Sequence, residues 1–274
     1  MQYQELGKTG VLVPEIGLGT WRYTGGPEPL RRGIELGANL IDTAEMYRTE
    51  DAVGEAIVGI RDEVLVATKV LGSNLRYDDL LRAADRSLKL LRVDKIDLYQ
   101  IHWPNPRIPI AETMRAMDRL VSGGLVDHVG VSNFSVGEMQ AAQAAMPNVP
   151  IVSNQILYNL RRRGAERDVI PYCRRHGITV IAYSPLHEGA LTGSASGRLR
   201  RALGMNRGNE TLEKVARQTG YSVAQVALNW VSDQAGIIAI PKSNSVQRTE
   251  DNCAASGWHL TPEQRQSLDQ AFPV

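Results

Sequence analysis

One feature constrains this chain more than any other. Apolar runs of five to seven residues alternate with stretches whose apolar side chains recur at helical spacing, eight times over. The runs fall at residues 16–21, 39–43, 64–69, 96–102, 126–132, 151–155, 179–184 and 236–241. Helical stretches follow each, at 27–37, 49–60, 77–91, 110–122, 136–145, 168–176, then 211–219 with 223–233, and last 246–255. Strands separated by helices pair in parallel, because a tight hairpin is not available to join them. Eight units within 274 residues, with no linker or shift in composition, predict one α/β domain over 1–274. Its expected fold is a closed (β/α)8 TIM barrel. Residues 2–14, with Gly7, Gly10 and Pro14, predict an N-terminal β-hairpin. Residues 261–271 predict an appended C-terminal helix, with Thr261 as N-cap and Glu263 close behind.

A doubly wound open sheet is the competing architecture. It needs a glycine-rich phosphate loop after its first strand. The run Gly17-Leu-Gly-Thr-Trp-Arg supplies two of the three glycines, but Arg22 stands where the third belongs. No acidic residue closes a second strand at the distance a ribose requires.

Charge and cysteine usage narrow the partners. The chain carries 31 basic and 30 acidic side chains, net +1, which gives no electrostatic case for nucleic acid or an anionic membrane. No apolar run approaches the ~18 residues that span a bilayer, and the first residues lack a basic segment followed by an apolar one. Two cysteines, Cys173 and Cys253, make no disulfide framework, and no Cys/His spacing suggests a metal. A cytoplasmic protein is expected.

Barrel chemistry gathers at the carboxyl ends of the strands. Those ends carry Thr20, Trp21, Asp42, Lys69, His102, Ser132, Asn133, Asn154, Gln155, Tyr183, Ser184 and Lys242. Each alone reads equally well as a strand end meeting solvent, and Asp42 with nearby Tyr47 as a turn cap beside a surface tyrosine. Together they assemble a proton-transfer device. A buried Lys or Asp is costly unless paired, so Lys69 and Asp42 are expected to face each other. A phenol has an ordinary pKa of about 10, and a neighbouring ammonium is expected to lower it. Tyr47 then serves as general acid in one direction and base in the other. His102 can donate to a carbonyl oxygen and stabilise charge developing there. None of these groups carries a hydride, so a redox reaction needs a cofactor.

In these residues the chain resembles the aldo-keto reductases. Asp42, Tyr47, Lys69 and His102 match that family's catalytic tetrad, within Asp-Thr-Ala-Glu-Met-Tyr, Ala-Thr-Lys and Gln-Ile-His-Trp-Pro. The segments Gly-Val-Ser-Asn-Phe from Gly130, Ala-Tyr-Ser-Pro-Leu from Ala182 and Ile-Pro-Lys-Ser from Ile240 match as well. The resemblance runs from the hairpin to Asn252 and implies NADPH as cofactor, with NADH second, bound without a Rossmann domain. By match, Tyr183 stacks on the nicotinamide, and Ser132, Asn133 and Gln155 hold its carboxamide. Ser184, Leu186, Gly189 and Leu191 follow the pyrophosphate. Lys242, Ser243 and Arg248 hold the 2′-phosphate, and Asp251 and Asn252 lie near the adenine. Thr20 and Trp21 belong to the same cofactor wall, while Trp21, Tyr47, His102 and Trp103 line the substrate pocket. An Arg fork with a Lys suits a dianionic phosphate on independent grounds, although the same pair alone reads as a solvated basic face.

Some positions depart from the family. Asp251 stands where many members have Glu, and His187 and Glu188 where many have small residues. A negative charge beside a pyrophosphate is awkward, so Glu188 is expected to point away. Residues 187–209, rich in Gly, Ser and Arg, read equally as a mobile cover over the cofactor and as a disordered surface loop. The implied activity is reduction of a small-molecule aldehyde or ketone by a monomer or weak homo-oligomer. A nucleotide-sensing binding subunit, like the potassium-channel β-subunits built on this barrel, is the alternative. A phosphate-sugar barrel enzyme would explain Lys242 but leaves the tetrad without a joint role.

Overall fold

The computed structural model describes residues 1–192 and 207–274; of the predicted 187–209 loop, residues 193–206 lie outside the described residues. Strands β1 (Tyr3–Glu5) and β2 (Leu12–Pro14) form the expected antiparallel hairpin. Eight further strands form one sheet whose neighbours follow sequence order. They are β3 (Leu18–Gly19), β4 (Leu40–Asp42), β5 (Leu65–Val70), β6 (Ile96–Ile101), β7 (Val126–Ser132), β8 (Ile151–Leu157), β9 (Thr179–Tyr183) and β10 (Ile237–Ala239). Every pairing within that sheet is parallel.

The sheet closes on itself. Parallel bridges join Ile16 to Ala239 and Gly19 to Lys242. Gly17 N donates to Ala239 O at 2.9 Å and Gly19 N to Pro241 O at 3.0 Å. Glycine is required at this seam, since a Cβ on Gly19 would meet Ile240 O at 2.7 Å. The last two edges thus satisfy one another, and the open-sheet alternative falls.

Two layers of apolar side chains hold the barrel. The larger lies between the strands and the helices around them. The smaller fills the barrel interior with Leu40, Ala67, Leu98, Val152, Ile181 and Ile238, joined by Leu6 and Val13 from the hairpin. The hairpin therefore plugs the amino end of the barrel. Gln4 fastens it, donating to Ile237 O at 2.6 Å and accepting from Gly236 N at 2.8 Å. Among the described residues, the hairpin covers the amino end and leaves the carboxyl end as the candidate ligand face.

Some boundaries differ from the sequence reading. The outer strands of the seam are short: Thr20 N already turns to Asp42 O at 3.0 Å, so β3 ends at Gly19. The second helix spans Glu50–Ala56 rather than 49–60, and Gly59 at φ 81° lies past its end. Thr49 does not cap this helix; its hydroxyl meets those of Thr20 (3.1 Å) and Thr43 (3.0 Å). The appended helix, Pro262–Ala271, is capped by Thr261, but its capping-box partner is Gln264 and not Glu263. Among the described residues no helix is long and apolar enough to cross a membrane.

Candidate active site

Register decides which side chains meet. Asp42 pairs with Ala67 across β4 and β5. Strand side chains alternate with period two, so Lys69 points to the same interior face as Ala67, one step nearer the open end. Lys69 Nζ reaches Asp42 Oδ2 at 2.8 Å, Thr43 O at 2.8 Å and Tyr47 Oη at 3.4 Å. Lys69 is fully buried and Asp42 nearly so (0 % and 2 % exposed). Tyr47 lies in the single turn Glu45–Tyr47 that follows β4. The ring of His102, directly after β6, meets the Tyr47 ring edge-on, centroids 5.4 Å apart. The four residues expected to act together are therefore in one cluster.

Burial governs their charges. It disfavours the Lys69 ammonium, yet the Asp42 carboxylate, with Tyr47, outweighs it and holds the pKa above the usual 10.5. For Tyr47 the balance runs against the sequence expectation. Burial raises the phenol above 10.0, and the opposing pull of Lys69 does not restore it. Tyr47 is thus a protonated donor at neutral pH. Burial, then the Lys69 charge, pushes His102 down to about 3, which keeps the imidazole neutral. Its Nδ1 is buried without a partner. An orphaned acceptor costs less here than an orphaned N–H, so the proton belongs on Nε2.

The residues expected along the nicotinamide lie around this cluster. Ser132 pairs with Gln155 in the β7–β8 ladder, and Ser132 Oγ donates to Gln155 O at 2.9 Å. Asn133 Nδ2 donates to His102 O (3.1 Å) and to Ser132 Oγ (3.0 Å), while Tyr183 Oη donates to Asn133 Oδ1 (3.1 Å). Gln155 Nε2 donates to Asp42 Oδ1 at 2.7 Å, which joins this row to the tetrad. Asn154 faces the other way, its amide on Phe134 O at 2.9 Å, and stands outside the site. Non-glycine residues with positive φ cluster at this end: Arg22, Arg48, Asn133, Ser184, His187 and Glu188 follow strands, and among the described residues only Arg92 lies elsewhere. Such strain persists where the surroundings impose it.

At the seam, Lys242 follows β10 and Arg248 lies in the helix Val246–Cys253. Both are exposed, and neither has an ion-pair partner among the described residues. Partial burial, then the Arg248 charge, lowers the Lys242 pKa. Ser243 Oγ donates to Ser245 O at 2.8 Å. Asp251 is exposed and Asn252 buried on the same helix. Leu186 and Gly189 are half-buried, Leu191 is buried, and Glu188 is exposed. A Lys and an Arg without ion-pair partners among the described residues are a donor set that fits a phosphate.

Trp21 and Trp103 are both partly exposed at the mouth. Trp21 lies 5.0 Å from the Tyr47 ring, and Trp103 stacks on His102 at 3.9 Å. Both flank the tetrad rather than the core. Sequence reasoning missed Gln100, whose Nε2 lies 3.5 Å from Asp42 Oδ1, and Glu45, which ties the Tyr47 turn to its neighbours. The ladder partner of Lys69 is Gln100, a signal visible only once register is known. Cys173 and Cys253 are free and buried, and burial pushes the Cys253 thiol up to about 11, which leaves it unreactive.

A sequence model of the aldo/keto reductase family matches residues 15–272. The chain is 36% identical over 275 residues to methylglyoxal reductase YeaE of Escherichia coli (strain K12), across 96% of this chain and 93% of that protein. It resembles the crystal structure of a thermostable aldo-keto reductase in complex with the inhibitor epalrestat, with a TM-score of 0.89 and 37% identity over 99% of this chain and 100% of that one. It also resembles an aldo/keto reductase from Klebsiella pneumoniae in complex with NADP and acetate, with a TM-score of 0.84 and 35% identity over 98% of this chain and 94% of that one.

Proposed function

Because the chain belongs to the aldo/keto reductase family, we propose that it is an NADPH-dependent oxidoreductase that reduces an aldehyde or ketone to the alcohol, with Tyr47 as the general acid. The observation that carries this reading is the buried Lys69 ammonium, which touches Asp42, Thr43 O and Tyr47 at once. NADPH, when bound, supplies the hydride that the carbonyl carbon receives. The protein's own groups handle the oxygen. Neutral His102 donates from Nε2 and orients the carbonyl, and Tyr47 gives up its proton as negative charge develops there. Lys69 stabilises the phenolate that remains, and solvent then reprotonates it. Asp42 holds Lys69 and is not itself an acid.

Lys242, Ser243 and Arg248 would hold the 2′-phosphate, which is why NADPH is preferred to NADH. Tyr183, with Ser132, Asn133 and Gln155, would hold the nicotinamide end. Thr20, Ser184, Leu186, Gly189, Leu191, Asp251 and Asn252 complete that wall, and Trp21 and Trp103 bound the substrate. A small carbonyl substrate would lie beside these two indoles, which flank Tyr47 and His102. We place the enzyme in the cytoplasm, as one barrel domain acting as a monomer or weak homo-oligomer; two buried cysteines outside any disulfide suit a reducing compartment. The channel-subunit alternative draws no support from the reductases that the chain resembles.

The test is a fluorescence titration with NADPH and NADH, followed by a carbonyl panel headed by methylglyoxal and read as NADPH absorbance. Tight NADPH binding with turnover supports the reading. Binding without turnover of any carbonyl would overturn it.

A further inference from the structure

The turn that carries Tyr47 is fastened to the rest of the open end through Glu45. Its Oε2 accepts the Leu71 backbone N–H at 2.9 Å. Its Oε1 accepts Asn74 Nδ2 at 2.8 Å and Arg86 Nη2 at 3.0 Å. Leu71 and Asn74 belong to the turn just beyond the strand of Lys69, and Arg86 to the helix Tyr77–Leu91. The same turn is clipped to the next loop, since Asn105 Nδ2 donates to Gly72 O at 2.8 Å. That loop also carries Trp103, the indole stacked on His102. Contacts therefore run without a gap from the Tyr47 turn, through Glu45, to the wall beside His102.

We propose that Glu45 is a positioning residue for carbonyl reduction: it sets the place of Tyr47 relative to Lys69 and His102 by locking the Tyr47 turn onto the Leu71–Asn74 turn. The inference rests on the reductase reading. Glu45 acts through two residues of backbone within the single turn Glu45–Tyr47. Its leverage comes from the Lys69–Tyr47 contact, which at 3.4 Å has no slack for a displaced phenol.

The chemistry of the three partners explains why a carboxylate stands here. All three are donors, one of them a guanidinium, and an ionised carboxylate accepts from all of them through two oxygens. A glutamine offers one oxygen, and its amide N–H groups would confront another donor. An aspartate keeps the charge but is shorter by one methylene, which separates it from at least one partner.

The experiment compares wild type with Glu45→Gln, Glu45→Asp and Asn74→Ala. It measures NADPH binding by fluorescence, thermal midpoint, kcat and KM on a carbonyl that wild type reduces, and the isotope effect with C4-deuterated NADPH. Loss of positioning predicts unchanged NADPH binding and a fall in kcat of up to about 100-fold for Glu45→Gln, with KM moving less. The isotope effect rises as chemistry becomes limiting. Glu45→Asp recovers part of the loss, and Asn74→Ala lowers kcat by less than Glu45→Gln. Wild-type kcat in Glu45→Gln overturns the inference, and so does a loss of NADPH binding and thermal midpoint in step with kcat. If Glu45→Gln does not fold, Asn74→Ala decides: lowered kcat at the wild-type midpoint supports the inference and unchanged kcat overturns it. Failure of the reductase reading is separate, because wild type would then turn over no carbonyl.

Discussion

Gln155 Nε2 lies 2.7 Å from Asp42 Oδ1, while Lys69 Nζ lies 2.8 Å from the other oxygen of the same carboxylate. Asp42 is thus held from both sides, by a strand next to its own and by one on the far side of the barrel. It is the fixed counter-charge of the site. Four consequences can be measured.

Asp42→Asn leaves the buried Lys69 ammonium without its counter-ion. Removing one partner of a buried ion pair costs about 3–5 kcal/mol, so the unfolding free energy from urea denaturation should fall by that amount and reduction should be lost. Unchanged stability would mean that Lys69 is neutral in the folded protein.

Gln155→Leu leaves Asp42 Oδ1 with only the long 3.5 Å contact from Gln100. An unsatisfied buried acceptor costs about 1–3 kcal/mol, measurable by denaturation. Gln155→Glu should be worse at neutral pH, because two carboxylates would share one site. The folded state then raises a carboxyl pKa, so this variant should gain stability as pH falls and lose it as pH rises. A pH-independent deficit would contradict this.

His102, held at about 3 by burial and the Lys69 charge, titrates near 6.5 once unfolded. The unfolded chain therefore binds more protons between those values. The stability that neutral His102 contributes is complete above pH 6.5 and is lost as pH falls toward 3. Replacing His102 by Asn should flatten that part of the acid limb, as followed by urea midpoint against pH. In the wild-type enzyme, kcat should show no ionisation near 6.5, and a limb there would contradict a buried neutral ring.

Arg248→Ala removes one charged donor from the proposed 2′-phosphate site. Hydrogen bonds to charged groups contribute about 1.5–3 kcal/mol, so the NADPH Kd should rise roughly 10- to 100-fold while the NADH Kd stays the same. An equal loss for both nucleotides would place Arg248 elsewhere on the cofactor.

The sequence carried much of this. The alternation of strand and helix specifies the barrel, because each strand must bury both faces and each helix one. Asp42, Lys69 and His102 were legible as strand-end residues, and Tyr47 as the phenol five residues after Asp42. Three things were not. Gln155 and Gln100 meet Asp42 only through sheet closure and register, which local pattern does not encode. Tyr47's proton affinity depends on how burial weighs against one ammonium, a balance that needs depth as well as neighbours. Glu45 looks like an ordinary acidic residue in a turn until the donors at Leu71, Asn74 and Arg86 are brought around it.

The central claim is that Tyr47 supplies the proton. Tyr47→Phe keeps the ring against Trp21 and His102 and removes only the hydroxyl. Its most direct measurement is carbonyl reduction by this variant, with NADPH binding followed in parallel. The account predicts wild-type NADPH affinity with turnover lowered by at least about 100-fold, within the range for loss of a general acid. Turnover at the wild-type rate would contradict it.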